Sequence, residues 1–325
     1  MSLNYNATYN KDIRNWLGKV FAHAKSLSEI SDLKRLCPVC GSEDHAFYAN
    51  NDYFNYVKCE KCSLVFQNPT INPDKIDSGF KGDDDLLMDY FKMMLKYKTG
   101  IPERPDPATD GKLKDIYLEK QKGRLLDIGC SVGDFLHKAK YFYEVEGVEV
   151  NPVTSEMAKK YFTVHQKFLS ELNLKKSYDV VTMHQILYGV PEPVGLMKDI
   201  HKILKDDGIL YINTPNADSF AMDMYKGKSN HLYGYTTQNV FNEMSLNRLA
   251  DLSGFKVTSF RTEWLDIYLT DVLVFMQDKP SFIHKRNCQV DGYEEKIKLE
   301  DEMQNKMKLE LGKKGNYIVA ILKKK

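Results

Sequence analysis

From about residue 112 onward, apolar residues alternate between short solid runs and stripes at helical spacing. The solid runs are Leu125-Leu126-Asp127-Ile128, Val145 to Val150, Phe162 to His165, Tyr178 to His184, Ile209 to Thr214, Phe255 to Phe260 and Asn316 to Leu322. Runs of this length and character read as strands of a sheet buried on both faces. Between them fall helical stretches: Lys112 to Lys120, one from Asp134 through Leu136, Ala139 and Phe142, and Thr154 to Tyr161 opened by Asn151-Pro152. Two more follow, Val194 to Leu204, closed by Asp207-Gly208, and Phe241 to Ser253, closed by Gly254. Glycine just past a periodic segment is a helix-stop signal. A βα rhythm predicts a parallel sheet with helices on both faces. The expected fold is therefore α/β: a Rossmann-like, doubly wound, mostly parallel sheet covering residues 115–325.

The stretch ahead of this body has a different pattern. Residues 1–35 form a helical segment with an apolar stripe, Ile13, Trp16, Leu17, Val20, Phe21 and Ala24, read as packing on the rest of the protein. Residues 36–69 carry two short β segments, around Ala46 to Tyr48 and Tyr53 to Lys58. Residues 70–114 are a polar linker with Gly and Pro breaks and a helix over Leu86 to Leu95, a connector or cap. An insertion at about 262–313 ends in a charged helix, Tyr293 to Leu311.

Cysteine spacing gives the 36–69 segment its chemistry. Cys37 and Cys40 form one Cys-x-x-Cys pair, and Cys59 and Cys62 form a second after eighteen intervening residues. Two such knuckles can bring four thiolates into a tetrahedron around Zn²⁺. Four cysteines close the shell, so the zinc is expected to be structural, in a small zinc ribbon. Within the ribbon two lysines, Lys58 and Lys61, stand against four acids, Glu43, Asp44, Asp52 and Glu60. That balance is wrong for tracking phosphates.

The second chemical signal lies at the first strand of the sheet. Asp127-x-Gly129-x-x-x-Gly133 is a glycine turn between a strand and a helix, and the next strand ends at Glu149. Glycines there let backbone approach a ligand closely, and an acid about twenty residues on can hold a ribose diol. The third closely spaced glycine of a pyrophosphate cradle is missing, which points to a nucleoside without phosphates.

Bulk properties narrow the setting. The 325 residues hold 46 basic and 45 acidic side chains, so no global charge draws the chain to nucleic acid or anionic lipid. No apolar run approaches the ~18–20 residues of a membrane span, and the first residues lack a secretory pattern. Of six cysteines only Cys130 and Cys288 stand outside the two pairs, which suggests a reducing, cytoplasmic setting.

Taken together, Leu125 to Gly133, Gly147-Val148-Glu149-Val150-Asn151-Pro152 and Leu204 to Asn216 resemble the class I S-adenosylmethionine-dependent methyltransferases. The Cys-Pro-Val-Cys-Gly to Gln-Asn-Pro segment is similar to the zinc ribbon of a subset that includes sugar C-methyltransferases. The resemblance implies S-adenosyl-L-methionine as cofactor. It places the backbone of Gly129, Cys130 and Gly133 against the methionine part, with Asp127 buttressing the loop. Glu149 would take the ribose hydroxyls, Val150 one adenine face, and Phe168 and Leu169 the other. Met183 would sit near the sulfonium. Relatives of the ubiquinone O-methyltransferase type carry Glu-His before a Val-Pro-Asp-Pro-like turn, whereas here Tyr188-Gly189 precede Val190-Pro191-Glu192-Pro193. Base chemistry therefore does not carry over from that spot.

Methyl transfer is an in-line displacement, and a base is needed only if the acceptor must lose a proton. His231 and His184 are the candidates, with Tyr233 and Tyr235 as substrate contacts. The expected activity is methyl transfer to a small or medium biosynthetic acceptor, such as a sugar nucleotide. Two alternatives are an RNA methyltransferase docking through its ribbon and a non-catalytic cofactor-binding or scaffold protein.

Overall fold

The computed structural model describes residues 31–51, 53–83, 85, 88–89, 92, 107–229, 231–232, 236–263 and 312–325. The chain opens with three strands, β1 (His45–Asn50), β2 (Asn55–Cys59) and β3 (Val65–Gln67), in an antiparallel meander. A short helix α1 (Pro73–Ser78) follows, capped by the Asn72 side chain, which accepts from Asp74 N–H. Helix α2 (Pro107–Glu119) then leads into β4 (Arg124–Ile128), α3 (Asp134–Ala139) and β5 (Glu144–Val148). Next come α4 (Pro152–Ala158), β6 (Thr163–His165), β7 (Tyr178–His184), α5 (Pro193–Ile203) and β8 (Leu204–Pro215). The remainder is α6 (Phe220–Tyr225), β9 (Asn239–Val240), α7 (Glu243–Leu252), β10 (Phe255–Glu263) and β11 (Tyr317–Lys324).

The large sheet runs β10-β11-β8-β7-β4-β5-β6. The pairs β4–β5, β4–β7, β5–β6 and β7–β8 are parallel, and β11 lies antiparallel between β8 and β10. This is the expected mostly parallel, doubly wound sheet. Strand order reverses between β4 and β7, and ligands of such sheets bind at the carboxyl ends beside that reversal. Alternation along β7 and β8 splits the core in two. Val181, Met183, Leu210 and Ile212 face α5 and α7, while Val180, Ile209 and Tyr211 face α2 and α3. Central strands with both faces covered need apolar residues at nearly every position, which is what made their runs solid in the sequence.

Two local expectations change. Asp207-Gly208 does not stop α5, which ends at Ile203; β8 starts at once and runs through both residues. Gly208 lacks the left-handed φ of a helix cap and instead lies against the Leu204 side chain and the Asp179 carbonyl, where a Cβ would come within 2.8 and 3.1 Å. The register between β7 and β8 shifts there. Phe142, expected on the buried stripe of its helix, lies beyond α3 and is 46% exposed, edge-on to Tyr117. The expected helices at 1–35 and 86–95 and the 262–313 insertion fall largely outside the described residues.

The smaller sheet joins the ribbon to the body. Its order is β1-β2-β3-β9, with Val65 opposite Val240 and Phe66 opposite Asn239. The ribbon thus shares backbone hydrogen bonds with a strand from beyond β8. One hydrophobic cluster runs from Cys37, Val39, Cys59 and Cys62 through Leu64 and Phe66 to Met183, Leu187 and Phe241.

Candidate active site and metal centre

At the carboxyl end of β4 the chain turns through left-handed backbone at Gly129 (φ 74°), Ser131 (φ 53°) and Gly133 (φ 89°). Only glycine adopts such angles without cost. Close packing adds to the demand: a Cβ on Gly129 would lie 2.1 Å from Ile186 Cδ1, and one on Gly133 2.9 Å from the Phe162 ring. The N–H groups of Gly129 and Cys130 both donate to the Val148 carbonyl, at 2.7 and 3.1 Å. The loop is thereby tied to the end of β5. Cys130 is buried with its Sγ lodged against Gly147, where a Cβ would come within 2.4 Å.

Glu149 follows β5 directly and completes the loop. Its Oε2 accepts from Ser131 N–H at 2.8 Å and its Oε1 from Asn151 N–H at 2.8 Å. The residue is 8% exposed, and burial pushes its carboxyl above the ordinary range despite those donors. The Thr154 hydroxyl also favours its ionised form, and with about four lone-pair sites a carboxylate so held keeps capacity for a ligand. Asp127 sits behind the loop, 2% exposed, and accepts from Thr182 Oγ1 at 2.7 Å. Burial drives its carboxyl up to about 7.

Beyond Glu149, Val150 is half-buried and Asn151 caps α4, its Oδ1 accepting from Val153 N–H at 2.9 Å. The linker ahead of α2 folds over this corner. Asn151 Nδ2 donates to the Phe80 carbonyl at 3.3 Å, and Lys81 pairs with Glu171 at 3.0 Å while lying 4.7 Å from the Phe168 ring centre. Phe168 is half-buried and Leu169 is core.

The ends of β7, β8 and β11 make the other side. Met183 is fully buried in the core. His184 packs between Phe135 and Tyr211, at 4.4 and 5.4 Å between ring centres. Both of its ring nitrogens are sealed from solvent without a hydrogen-bond partner among the described residues, and burial lowers its pKa to about 3. Gln185 has left-handed backbone (φ 58°) and donates from Nε2 to Asn213 Oδ1 at 2.6 Å. His231 is 5% exposed, edge-on to Tyr317 at 5.2 Å. Among the described residues its Nε2 is sealed and has no partner, and burial lowers its pKa to about 4. Thr214 Oγ1 and Asn316 Oδ1 are likewise buried without a partner among the described residues. Tyr233 and Tyr235 lie outside the described residues. The sequence carried no sign of Gln185 or Asn213 as a pair: their spacing follows from the β7–β8 register.

In the ribbon the thiols of Cys37, Cys40, Cys59 and Cys62 lie within 4.8 Å of one another. The closest contacts, Cys37 to Cys62 and Cys40 to Cys59, are both 3.5 Å between sulfurs. That is far longer than a disulfide bond and close to the roughly 3.8 Å that a tetrahedral site with Zn–S of about 2.3 Å requires. Three of the four are buried, so a metal there would have a closed shell. The donor set fits zinc. Lys61 pairs with Asp44 within the ribbon at 3.0 Å, and Lys58 lies 3.8 Å from Asp218, just beyond β8.

Comparison with known proteins bears on the domain and its fold. A family described as a methyltransferase domain matches residues 108–260. The ubiquinone biosynthesis O-methyltransferase of Haemophilus ducreyi is 29% identical over 107 residues, covering 29% of this chain and 45% of that protein. The chain thus matches less than half the length of that curated relative. Among solved structures, a complex containing the Trm112 methyltransferase activator of Haloferax volcanii superposes at 14% identity and a TM-score of 0.50, covering 73% of this chain and 96% of the other. A methyltransferase from Archaeoglobus fulgidus superposes at 22% identity and a TM-score of 0.48, covering 73% and 100%. At 14% identity the Haloferax likeness speaks for the fold alone.

Proposed function

We propose that this chain, whose residues 108–260 match a methyltransferase domain family, is a class I S-adenosylmethionine-dependent methyltransferase that transfers a methyl group to a small or medium biosynthetic acceptor. The observation that carries the reading is the Gly129–Gly133 turn locked to Glu149 at the carboxyl end of β4, beside the reversal in strand order. A nucleoside bound there needs a close backbone approach at one end and a diol acceptor at the other, and these residues supply both.

Bound at this turn, S-adenosylmethionine supplies an electrophilic methyl group. The chain's own part is to hold and align. Gly129, Cys130 and Gly133 lie along the methionine end, and Glu149 takes the ribose hydroxyls on its remaining lone pairs. Val150, Phe168 and Leu169 flank the adenine. Met183 and His184 stand at the end of β7, where the reacting carbon would sit. A neutral imidazole is the state that burial favours at both histidines. His231 Nε2, with no partner of its own, is suited to accept a hydrogen bond from an acceptor hydroxyl or amine. That contact orients the acceptor for in-line attack, which is where most of the rate enhancement arises in such a displacement. Zinc in the four-cysteine site would be structural, with no position open to substrate.

Calorimetry with S-adenosylhomocysteine tests the cofactor reading. One site per chain in the micromolar range is expected, and absence of binding to folded, zinc-replete protein would overturn it. Turnover across a panel of hydroxylated and amino metabolites, sugar nucleotides among them, then tests the acceptor class.

A further inference from the structure

We propose that the cysteine ribbon is a positioning device for the loop that covers the cofactor turn, with Arg35 as the residue that connects them. This rests on the cofactor reading above and assigns to Arg35 and the ribbon a role in that same site. Arg35 stands two residues ahead of Cys37. Its side chain donates to three backbone carbonyls from three separate parts of the chain: Gln67 at 3.1 Å in the ribbon, Pro191 at 3.4 Å after β7, and Gln238 at 2.8 Å ahead of β9. It also reaches Asn239 Oδ1 at 3.4 Å and lies 5.5 Å from the Phe66 ring centre. A guanidinium has five donors in a fixed fork, so one side chain can pin several acceptors at set angles.

The pinned parts are tied to one another. Gln67 N–H donates to the Gln238 carbonyl at 3.0 Å, Gln238 N–H to the Tyr188 carbonyl at 2.9 Å, and Asn239 Nδ2 to the Val190 carbonyl at 2.6 Å. Thr70, Gln67 and Gln238 join by buried side-chain hydrogen bonds. The segment held this way, Ile186 to Pro191, begins with the isoleucine whose side chain lies over Gly129. Leu187 is fully buried in the cluster that also holds Cys37, Cys59 and Cys62. A continuous set of contacts therefore runs from the thiols, through Arg35 and β3–β9, to the cover of the Gly129 turn. These contacts are close-packed and hydrogen-bonded along their length, so loosening one end should move the other.

The test uses the full chain and three measurements: bound zinc by elemental analysis, S-adenosylhomocysteine affinity by calorimetry, and amide exchange of residues 186–191. Arg35→Lys keeps the charge but loses the fork. It is expected to retain one zinc per chain, to bind S-adenosylhomocysteine about tenfold more weakly, and to exchange 186–191 faster while β5 and β6 stay protected. Asn239→Ala, which removes the contact to Val190 and the one from Arg35 to Asn239 Oδ1, should shift the same amides in the same direction. Zinc removal from the unsubstituted protein should also speed exchange at 186–191. Unchanged exchange there in both variants, or after zinc loss, would overturn the proposal. Failure of the unsubstituted protein to bind S-adenosylhomocysteine would instead sink the cofactor reading, and the exchange arm would still decide this one.

Discussion

The two sides of the site differ in how their buried polar groups are satisfied. On the β4–β5 side, Glu149 receives two backbone N–H groups and Asp127 a hydroxyl. On the β7–β8–β11 side Gln185 pairs with Asn213, but both nitrogens of His184 and Nε2 of His231 have no partner among the described residues. A sealed polar atom without a hydrogen bond costs about 1–3 kcal/mol, so the second side is held in place by the packing around it. On the proposed reading, the cofactor side is preorganised by local backbone and the acceptor side by long-range packing.

The contrast extends to pH. Burial raises Asp127 to about 7 and lowers His231 to about 4, so the two sides titrate in opposite senses. For Asp127 the folded chain holds its proton from the ordinary carboxyl pKa near ~3.9 up to about 7. Stability from this group is full below the unfolded value and is lost as pH rises through that window. Asp127→Asn can still accept from Thr182 and cannot ionise. It should remove that fall, leaving the variant more stable than the unsubstituted protein at pH 8 by up to about 4 kcal/mol, three units at 1.36 kcal/mol each. Denaturant midpoints at pH 5 and pH 8 check this. An equal fall in both proteins would mean that Asp127 is not the buried acid described here.

Next in size is Gly129→Ala. The residue needs φ 74°, and its Cβ would displace Ile186. Strain of this kind costs about 1–3 kcal/mol, and it falls on the turn that faces the ligand. S-adenosylhomocysteine affinity is expected to drop by roughly tenfold to a hundredfold, at about 1.4 kcal/mol per factor of ten. Unchanged affinity would place the ligand away from this turn and erase the contrast between the two sides.

How far the chain's sequence foretells this follows from the same division. The Gly129 turn and Glu149 were legible because their chemistry is local: a strand, two glycines and an acid within one βα unit. The four cysteines were legible for a similar reason, since knuckle spacing is a short-range property. Arg35 was not, because three of its four acceptors are backbone carbonyls, up to 203 positions away, and backbone carbonyls leave no mark in a sequence. The pairing of β3 with β9 was equally hidden, β9 being two residues long. Asp207-Gly208 misled because a glycine that makes room for Leu204 looks the same as one that ends a helix. Of the acceptor side only residue types could be picked out; which of their atoms lack partners depends on packing between β8, β11 and the segment after α6.

The smallest expected effect is at His231, and it bears most directly on the acceptor side. His231→Phe removes an unpartnered nitrogen while keeping a ring against Tyr317. If the nitrogen serves the acceptor, the chain carries it at a cost to stability. The variant should then gain about 1 kcal/mol at neutral pH by losing a sealed polar atom. It should also lose the acid limb, since a histidine lowered to about 4 contributes stability that is full above ~6.5 and falls away as pH drops toward the folded value. Cofactor affinity should stay within twofold, while turnover falls at least tenfold. Stability gained with turnover intact would make His231 a packing residue and move acceptor recognition elsewhere. Stability lost with cofactor affinity reduced would mean that the two sides are not separable, because a residue beside β11 would then be supporting the turn after β4.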